Sequence, residues 1–514
     1  MDNWTRTQRR LPIFLEETGV LLSIMMPTLV RYMAFQMADR ATIAFVGTYD
    51  PLPAHIAGVV LAKMYSNITC LSLGIGVAFG ISTFASQNFG SESSHNNGLI
   101  LRQARRAFAG AWAFALIAAA VSKPLLAFLG QPPEILWPCQ QISLILAAGA
   151  PAAWLSFAMQ SMLVAQRIVI PSMVCDGLAA ISNLILAYLF LLNGVGYIGL
   201  AYATFISYWM SLAFSTFYIL WTGRQATVWE VPEDLAEAGS VSFFRFLQTS
   251  LPSAFSMWVE WWAAELMSIM AGLLPAGEYS VGAHGLLFNT AAIFYMAFCA
   301  NANASTTRIG NLIGSKETYR IRPLIASGIM LAMVIATAVS GLLYAYGSSI
   351  FLFYTHDAGL VEGAVDANMG MVLTMAPYSL MMLFLGVLRG ADMQAWGAVN
   401  MFVAFYLLGL PLSGYLGFIR GMGLSGIWYG NAAGMGASAL AMLLKVACID
   451  WDHVSSIDED LKAPLLKHAA GGQDATPGDL ESSREGADGR PEALPSLLQS
   501  KLEGTDEASK QDRA

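Results

Sequence analysis

Residues 194–202 read GVGYIGLAY and residues 421–429 read GMGLSGIWY, so Gly194, Gly196, Gly199 and Tyr202 recur as Gly421, Gly423, Gly426 and Tyr429 at a constant shift of 227. Two more matches fall at nearly the same shift: Gly90-Ser91 returns as Gly314-Ser315, and Gln166 as Gln394. Matches that share one long period mark a tandem duplication. What has been duplicated follows from the sequence between them, which is almost wholly apolar.

Of 514 residues, 56% are hydrophobic and only 12% charged, against the ~25% charged of soluble chains. That excludes a soluble protein. Residues 450–514 hold 15 of the 35 acids and 7 of the 27 Lys and Arg, so the net charge of −8 resides in this tail and the body is neutral. A body so poor in charge needs lipid around it, and ~20 apolar residues make one crossing. Twelve stretches qualify: 20–46, 55–82, 105–129, 136–163, 168–192, 197–221, 246–273, 279–306, 324–354, 364–388, 395–418 and 423–447. With the amino terminus inside, Arg6, Arg9, Arg10, Arg102, Arg105, Arg106, Arg167, Arg224, Arg245, Arg308, Lys316, Arg320, Arg322, Arg389 and Lys445 collect on that side, leaving Lys123 and Arg420 opposite. This bias puts both termini in the cytoplasm.

Each repeat then holds six spans, and an even number returns the chain to its starting side. The expected fold is all-α and polytopic, twelve transmembrane helices in two six-helix lobes related by a pseudo-two-fold along the membrane normal. Residues 1–17 form the cytoplasmic N-terminus, 18–221 the N-lobe, 222–243 a cytoplasmic linker with Glu230, Glu233, Asp234 and Glu237, and 244–448 the C-lobe. Residues 449–514, rich in Gly, Ser and acids with no apolar periodicity, read as a disordered cytoplasmic tail. In that tail Leu465-Leu466 and Leu497-Leu498 follow Asp460 and Glu492 at a spacing near that of dileucine sorting signals. Cys70, Cys139, Cys175, Cys299 and Cys448 show no pairing rhythm and read as packing residues. Two lobes that rock about a central site perform transport by alternating access.

Several segments, in order, resemble the multidrug and toxin extrusion (MATE) family, particularly its eukaryotic branch. They are GISTFASQNFGS at 80–91, PSAFSMWVEWWAAELMSIMAGLLP at 252–275, Asn289-Thr290 with Tyr295-Met296, STTRIGNLIGS at 305–315, GVLRGADMQ at 386–394 and Gly-Leu-Pro at 409–411. The resemblance runs from about residue 20 to 450. It implies an antiporter that expels organic, often cationic, compounds in exchange for protons, which are expected before sodium. It departs from the family where Tyr378 stands in place of an acid common in the tenth span, and where Asn289 stands in place of an acid found in some animal members.

Charges inside spans cost ~2.5–3.5 kcal/mol at the centre and need a reason. Glu260 and Glu265 are the leading proton-coupling and substrate-binding candidates; on a helix they diverge by roughly 140°, so one faces the cavity and the other a lobe interior. Burial favours the neutral form of a carboxyl and a nearby cation favours the charged form. One such group can therefore hold a proton or a cationic substrate, but not both; the alternative is a structural carboxyl bonded to backbone or hydroxyls. Trp261, Trp262, Tyr295 and Tyr378 suit flat or cationic ligands or simple packing, and Asn67, Gln87 and Asn289 supply hydrogen-bonding groups. Asp39 and Lys63 fall at similar depth and read as an ion pair or a coupling site. Asp176 is either a second proton site or the partner of a neighbour.

No cofactor, metal site or nucleic-acid partner is expected, only a small organic substrate and the bilayer, with the monomer as the working unit. GNLIGSKE from Gly310 lacks phosphate-loop spacing, and His284, the one histidine in the interior of a span, has no metal-binding partner one turn away, so neither an ATP-driven pump nor an enzyme is expected. The competing classes are a lipid-linked oligosaccharide flippase of the same superfamily and a passive channel. The host membrane is the plasma or the vacuolar membrane.

Overall fold

The computed structural model describes residues 2–456 apart from 51, 232–241 and 276. Glu233, Asp234 and Glu237 of the linker, and Asp460, Glu492 and the leucine pairs of the tail, lie outside the described residues. The described residues form twelve long helices: α1 Asp2–Tyr49, α2 Pro53–Gly90, α3 Asn97–Phe128, α4 Pro133–Ala165, α5 Ile170–Leu192, α6 Ile198–Trp221, α7 Phe243–Gly272, α8 Gly277–Gly314, α9 Ile321–Tyr354, α10 Ala358–Gly390, α11 Gln394–Ile419 and α12 Gly423–Ala447. No strand occurs among the described residues.

Ten of these helices are apolar enough to span a membrane on composition alone. The two that are not are α7, which carries Glu260, Glu265 and a run of serines, and α12, rich in Gly and Ala. Both pack against several neighbours: α12 along α10 and α11, and α7 along α2, α8 and α11. Caps set the helix starts, with Ser242 accepting from the Arg245 amide (3.1 Å) at α7 and Asp357 from Gly359 and Leu360 (2.9 and 3.1 Å) at α10.

The duplication is visible in the turns. Gly194, Gly196, Gly421 and Gly423 all have positive φ (74°, 69°, 70° and 58°), which is why the repeat is preserved there as glycine. At the other end of the bundle, where α1 starts and α12 finishes, the second and fourth helices of each lobe are followed by left-handed residues that are not glycine: Glu92, Arg167, Lys316 and Asp392, with φ of 58° to 62°. Glu92 is exposed, and Glu92→Gly is expected to raise the thermal midpoint in detergent through relief of up to about 1 kcal/mol; Gly421→Ala should lower it.

Within the N-lobe α1 lies on α5, and α4 on α2, α3 and α6; within the C-lobe α10 is central, against α8, α9 and α12. The lobes meet through α1, α2, α7 and α8, the same two helices of each repeat. Near the termini α2 and α8 cross at backbone contact: a Cβ on Gly90 would lie 2.1 Å from the Asn311 carbonyl oxygen, and one on Gly314 2.1 Å from that of Gln87. The repeat-related glycines thus face each other's helix. Asn311 locks the crossing, its amide donating to the Ser86 and Ala165 carbonyls (3.0 Å each) while its oxygen accepts from Arg167 Nε (3.1 Å).

Three details depart from the sequence reading. α1 is helical from Asp2, so the segment expected as a terminus is part of the first helix. The linker begins as a docked stretch, with Thr227 accepting from Asn97 and Gln166. The expected tail also starts packed: Ile449 and Trp451 are buried on the C-lobe and Ser455 donates to the Ile313 carbonyl (3.1 Å), because its first residues are apolar. Among the cysteines, Cys70, Cys139 and Cys175 are buried, Cys299 is half-buried and Cys448 is exposed rather than packed.

Candidate functional site

α7 brings Glu260 into the C-lobe, where the side chain is 8% exposed. The tyrosine that replaces a second acid meets it directly, since the Tyr378 hydroxyl of α10 donates to Glu260 Oε1. Tyr295 of α8 stacks on Tyr378 with ring centroids 5.3 Å apart, and Phe298 meets the same ring edge-on at 5.8 Å. Tyr295, Cys299 and Arg389 surround the carboxyl. Three helices thus build one acid-and-aromatic cluster, and the residue that looked like a loss is the partner of the acid that remains. Pro252 and Pro377 lie inside α7 and α10, each within two and a half turns of this contact, and each removes one backbone hydrogen bond from its helix.

Glu265 is half-buried and makes no side-chain hydrogen bond or ion pair among the described residues. Trp261 is half-buried, whereas Trp262 is 47% exposed. Asn67 opens a π-helical turn, Asn67–Leu71, in the middle of α2. That turn disturbs the regular backbone ladder, and the Ile68 carbonyl accepts from Trp258 Nε1 of α7 at 2.9 Å, an interlobe bond absent from the sequence reading. Gln87 is buried at the α2–α8 crossing and donates to the Gly390 carbonyl (3.1 Å). Thr83 one turn earlier donates to the Arg389 carbonyl (2.9 Å). Asn289 accepts from Arg40 Nη1 of α1 at 2.6 Å, again bridging the lobes.

The N-lobe charges singled out from the sequence are all paired. Lys63 donates to the Asp39 carboxylate and to Thr42 Oγ1 (3.0 Å), so the two residues placed at one depth do meet. Asp176 accepts from Gln160 and Ser211 (2.7 Å each) and lies 3.4 Å from Arg31 Nε. Of the alternatives for Asp176, the geometry is that of a paired carboxylate with a built-in cation. Arg31 and Arg40, like Arg389, were missed as site residues; for Arg31 and Arg40 a guanidinium inside a span is itself the signal, whereas Arg389 falls just past the end of its span.

With this geometry in view, the comparisons with known proteins are consistent. The MatE family model matches twice, at residues 27–189 and 252–414, once per lobe. Multidrug and toxin extrusion protein 1 of Pongo abelii is 28% identical over 86% of this chain and 76% of its own length, and the Homo sapiens protein of that name is 27% identical over the same shares. Protein DETOXIFICATION 3 of Arabidopsis thaliana is 25% identical over 77% of this chain and 83% of its own. Among solved structures, the eukaryotic MATE transporter AtDTX14 superposes with a TM-score of 0.79 at 19% identity, covering 87% of this chain and 99% of that one. The Vibrio cholerae MATE transporter VcmN in its bent form gives 0.73 at 17%, covering 88% and 99%. A family model matched in both halves of a two-lobe, twelve-helix membrane protein leaves one assignment: the chain belongs to the MatE family of multidrug and toxin extrusion transporters.

Proposed function

We propose that this transporter is a secondary antiporter, exporting organic, often cationic, compounds in exchange for protons by alternating access. The observation that carries the reading is the Glu260 carboxyl, buried between α7, α8 and α10 and bonded to the Tyr378 hydroxyl, with stacked aromatic rings beside it. A carboxyl there holds a proton or pairs with a cation lying against the rings, and the two states exclude each other. Proton entry from the acidic side releases the cargo; cargo entering from the other side displaces the proton. Glu265, half-buried and unpaired among the described residues, is the second proton candidate. The near end, with the termini, is taken as cytoplasmic, and the host membrane as plasma or vacuolar.

The test uses purified protein in vesicles, with pH and sodium gradients imposed separately and a fluorescent organic cation as cargo. Uphill accumulation under a pH gradient alone is the expected result. Equilibration without accumulation would mark a passive pore, and accumulation under sodium alone would transfer the coupling to that ion.

A further inference from the structure

Arg389 is the exception among the buried arginines. It is 5% exposed, with its guanidinium over the Phe79 ring of the opposite lobe at 4.0 Å. Nε is sealed from solvent with no acceptor, and neither terminal nitrogen makes a hydrogen bond among the described residues, though neither is sealed. The same chain pairs its other buried arginines directly, Arg31 with Asp176 and Arg308 with Glu17, and the largely buried Arg320 also meets Glu17. Burying a guanidinium without an acceptor is strongly destabilising unless something of opposite charge comes to it. Glu260 is within electrostatic reach, together with Tyr32, Tyr295 and Cys299, yet no ion pair joins the two. A buried cation and a buried carboxyl thus lie within reach of each other beside the lobe junction, Tyr32 coming from α1 and the other groups from α7, α8 and α10, without forming an ion pair.

We propose that Arg389 is a carboxylate subsite of the cargo cavity, so that the preferred cargo is amphoteric: an aromatic or cationic body held at Glu260, Tyr295 and Tyr378, with an acidic group on Arg389. The inference rests on the transport reading above and names its substrate class. The planar guanidinium fork matches a carboxylate in two parallel bonds. Its backbone is fixed by the Thr83 and Gln87 bonds to α2, so the subsite sits on the lobe junction.

The experiment measures equilibrium binding to the full chain in lipid nanodiscs with a matched pair of probes, benzyltrimethylammonium and its para-carboxylate. Wild type is expected to bind the carboxylate probe about 10–100-fold more tightly, the range of a charge-assisted pair. Arg389→Gln should erase that preference through loss of carboxylate-probe affinity, while the plain cation binds as well as before or better, since a nearby positive charge has gone. Arg389→Lys should restore part of the preference, with a point charge in place of the fork. Absence of a preference in wild type, binding of neither probe included, overturns the proposal. So does an equal loss of both probes in Arg389→Gln, the mark of a structural role. Failure of the antiport reading registers elsewhere, as absence of gradient-driven accumulation by wild type.

Discussion

Glu260→Gln vesicles will accumulate no cargo under a pH gradient, although the variant reaches the membrane in wild-type amount and keeps its thermal midpoint within a few degrees. The amide matches the carboxyl in size and still accepts from the Tyr378 hydroxyl through its oxygen, so packing among α7, α8 and α10 is preserved. What it cannot do is take up or release a proton, or neutralise a cation. Both halves of the exchange are therefore lost together, whereas Glu260→Asp, which can still titrate, retains slow exchange. Tyr378→Phe separates the partner from the acid. It removes the hydroxyl bond but keeps the ring against Tyr295 and Phe298, and a hydrogen bond to a charged group is worth about 1.5–3 kcal/mol. Exchange should survive in Tyr378→Phe with a rate lowered about 10-fold. Gradient-driven accumulation by Glu260→Gln at the wild-type rate would sink the assignment and move the coupling to Glu265.

How much of this was legible in the sequence depends on the distance over which each feature is encoded. A span needs only its own twenty-odd residues, and the repeat needs only glycines whose left-handed backbone admits little else, so twelve helices and two lobes follow from the chain alone. α7 is recognisable despite its charges because the residues around Glu260 and Glu265 are apolar. Asp39 and Lys63 were matched by counting from the two ends of one tight turn. Partners separated by a hundred residues or more are another matter. Tyr378 reaches Glu260, Arg31 reaches Asp176 and Gln87 reaches Gly390 only because particular helix faces meet, and a single sequence does not state which faces those are. Counting placed Arg389 among the charges of the near end, because its Cα lies one residue from the end of α10. The long side chain instead turns inward onto Phe79, which no count of span ends reveals.

The other large effect is expected at Glu17, where two lobes are joined by charge. Its side chain is fully buried and accepts from Arg308 at two points, 2.6 and 2.7 Å, and from Arg320 Nε at 2.6 Å, while Arg320 also pairs with Glu16. Beside it the Thr18 hydroxyl donates to Ser327 Oγ (2.9 Å), and Ser327 donates to the Phe14 carbonyl (3.0 Å), so residues 14–18 of α1 are fastened to α8 and α9 of the opposite lobe. A buried pair adds little when intact, because desolvation offsets the attraction, but removing one partner strands the other at a cost of about 3–5 kcal/mol. Arg308→Met strips Glu17 of its two-point partner and leaves Arg320, so a loss near the lower end of that range is expected, read as a lower midpoint in detergent-induced unfolding. Glu17→Gln with Arg308→Met removes the stranded charge as well and should recover most of the loss. That recovery distinguishes an electrostatic joint from simple packing, for which the double variant would be no more stable than Arg308→Met alone.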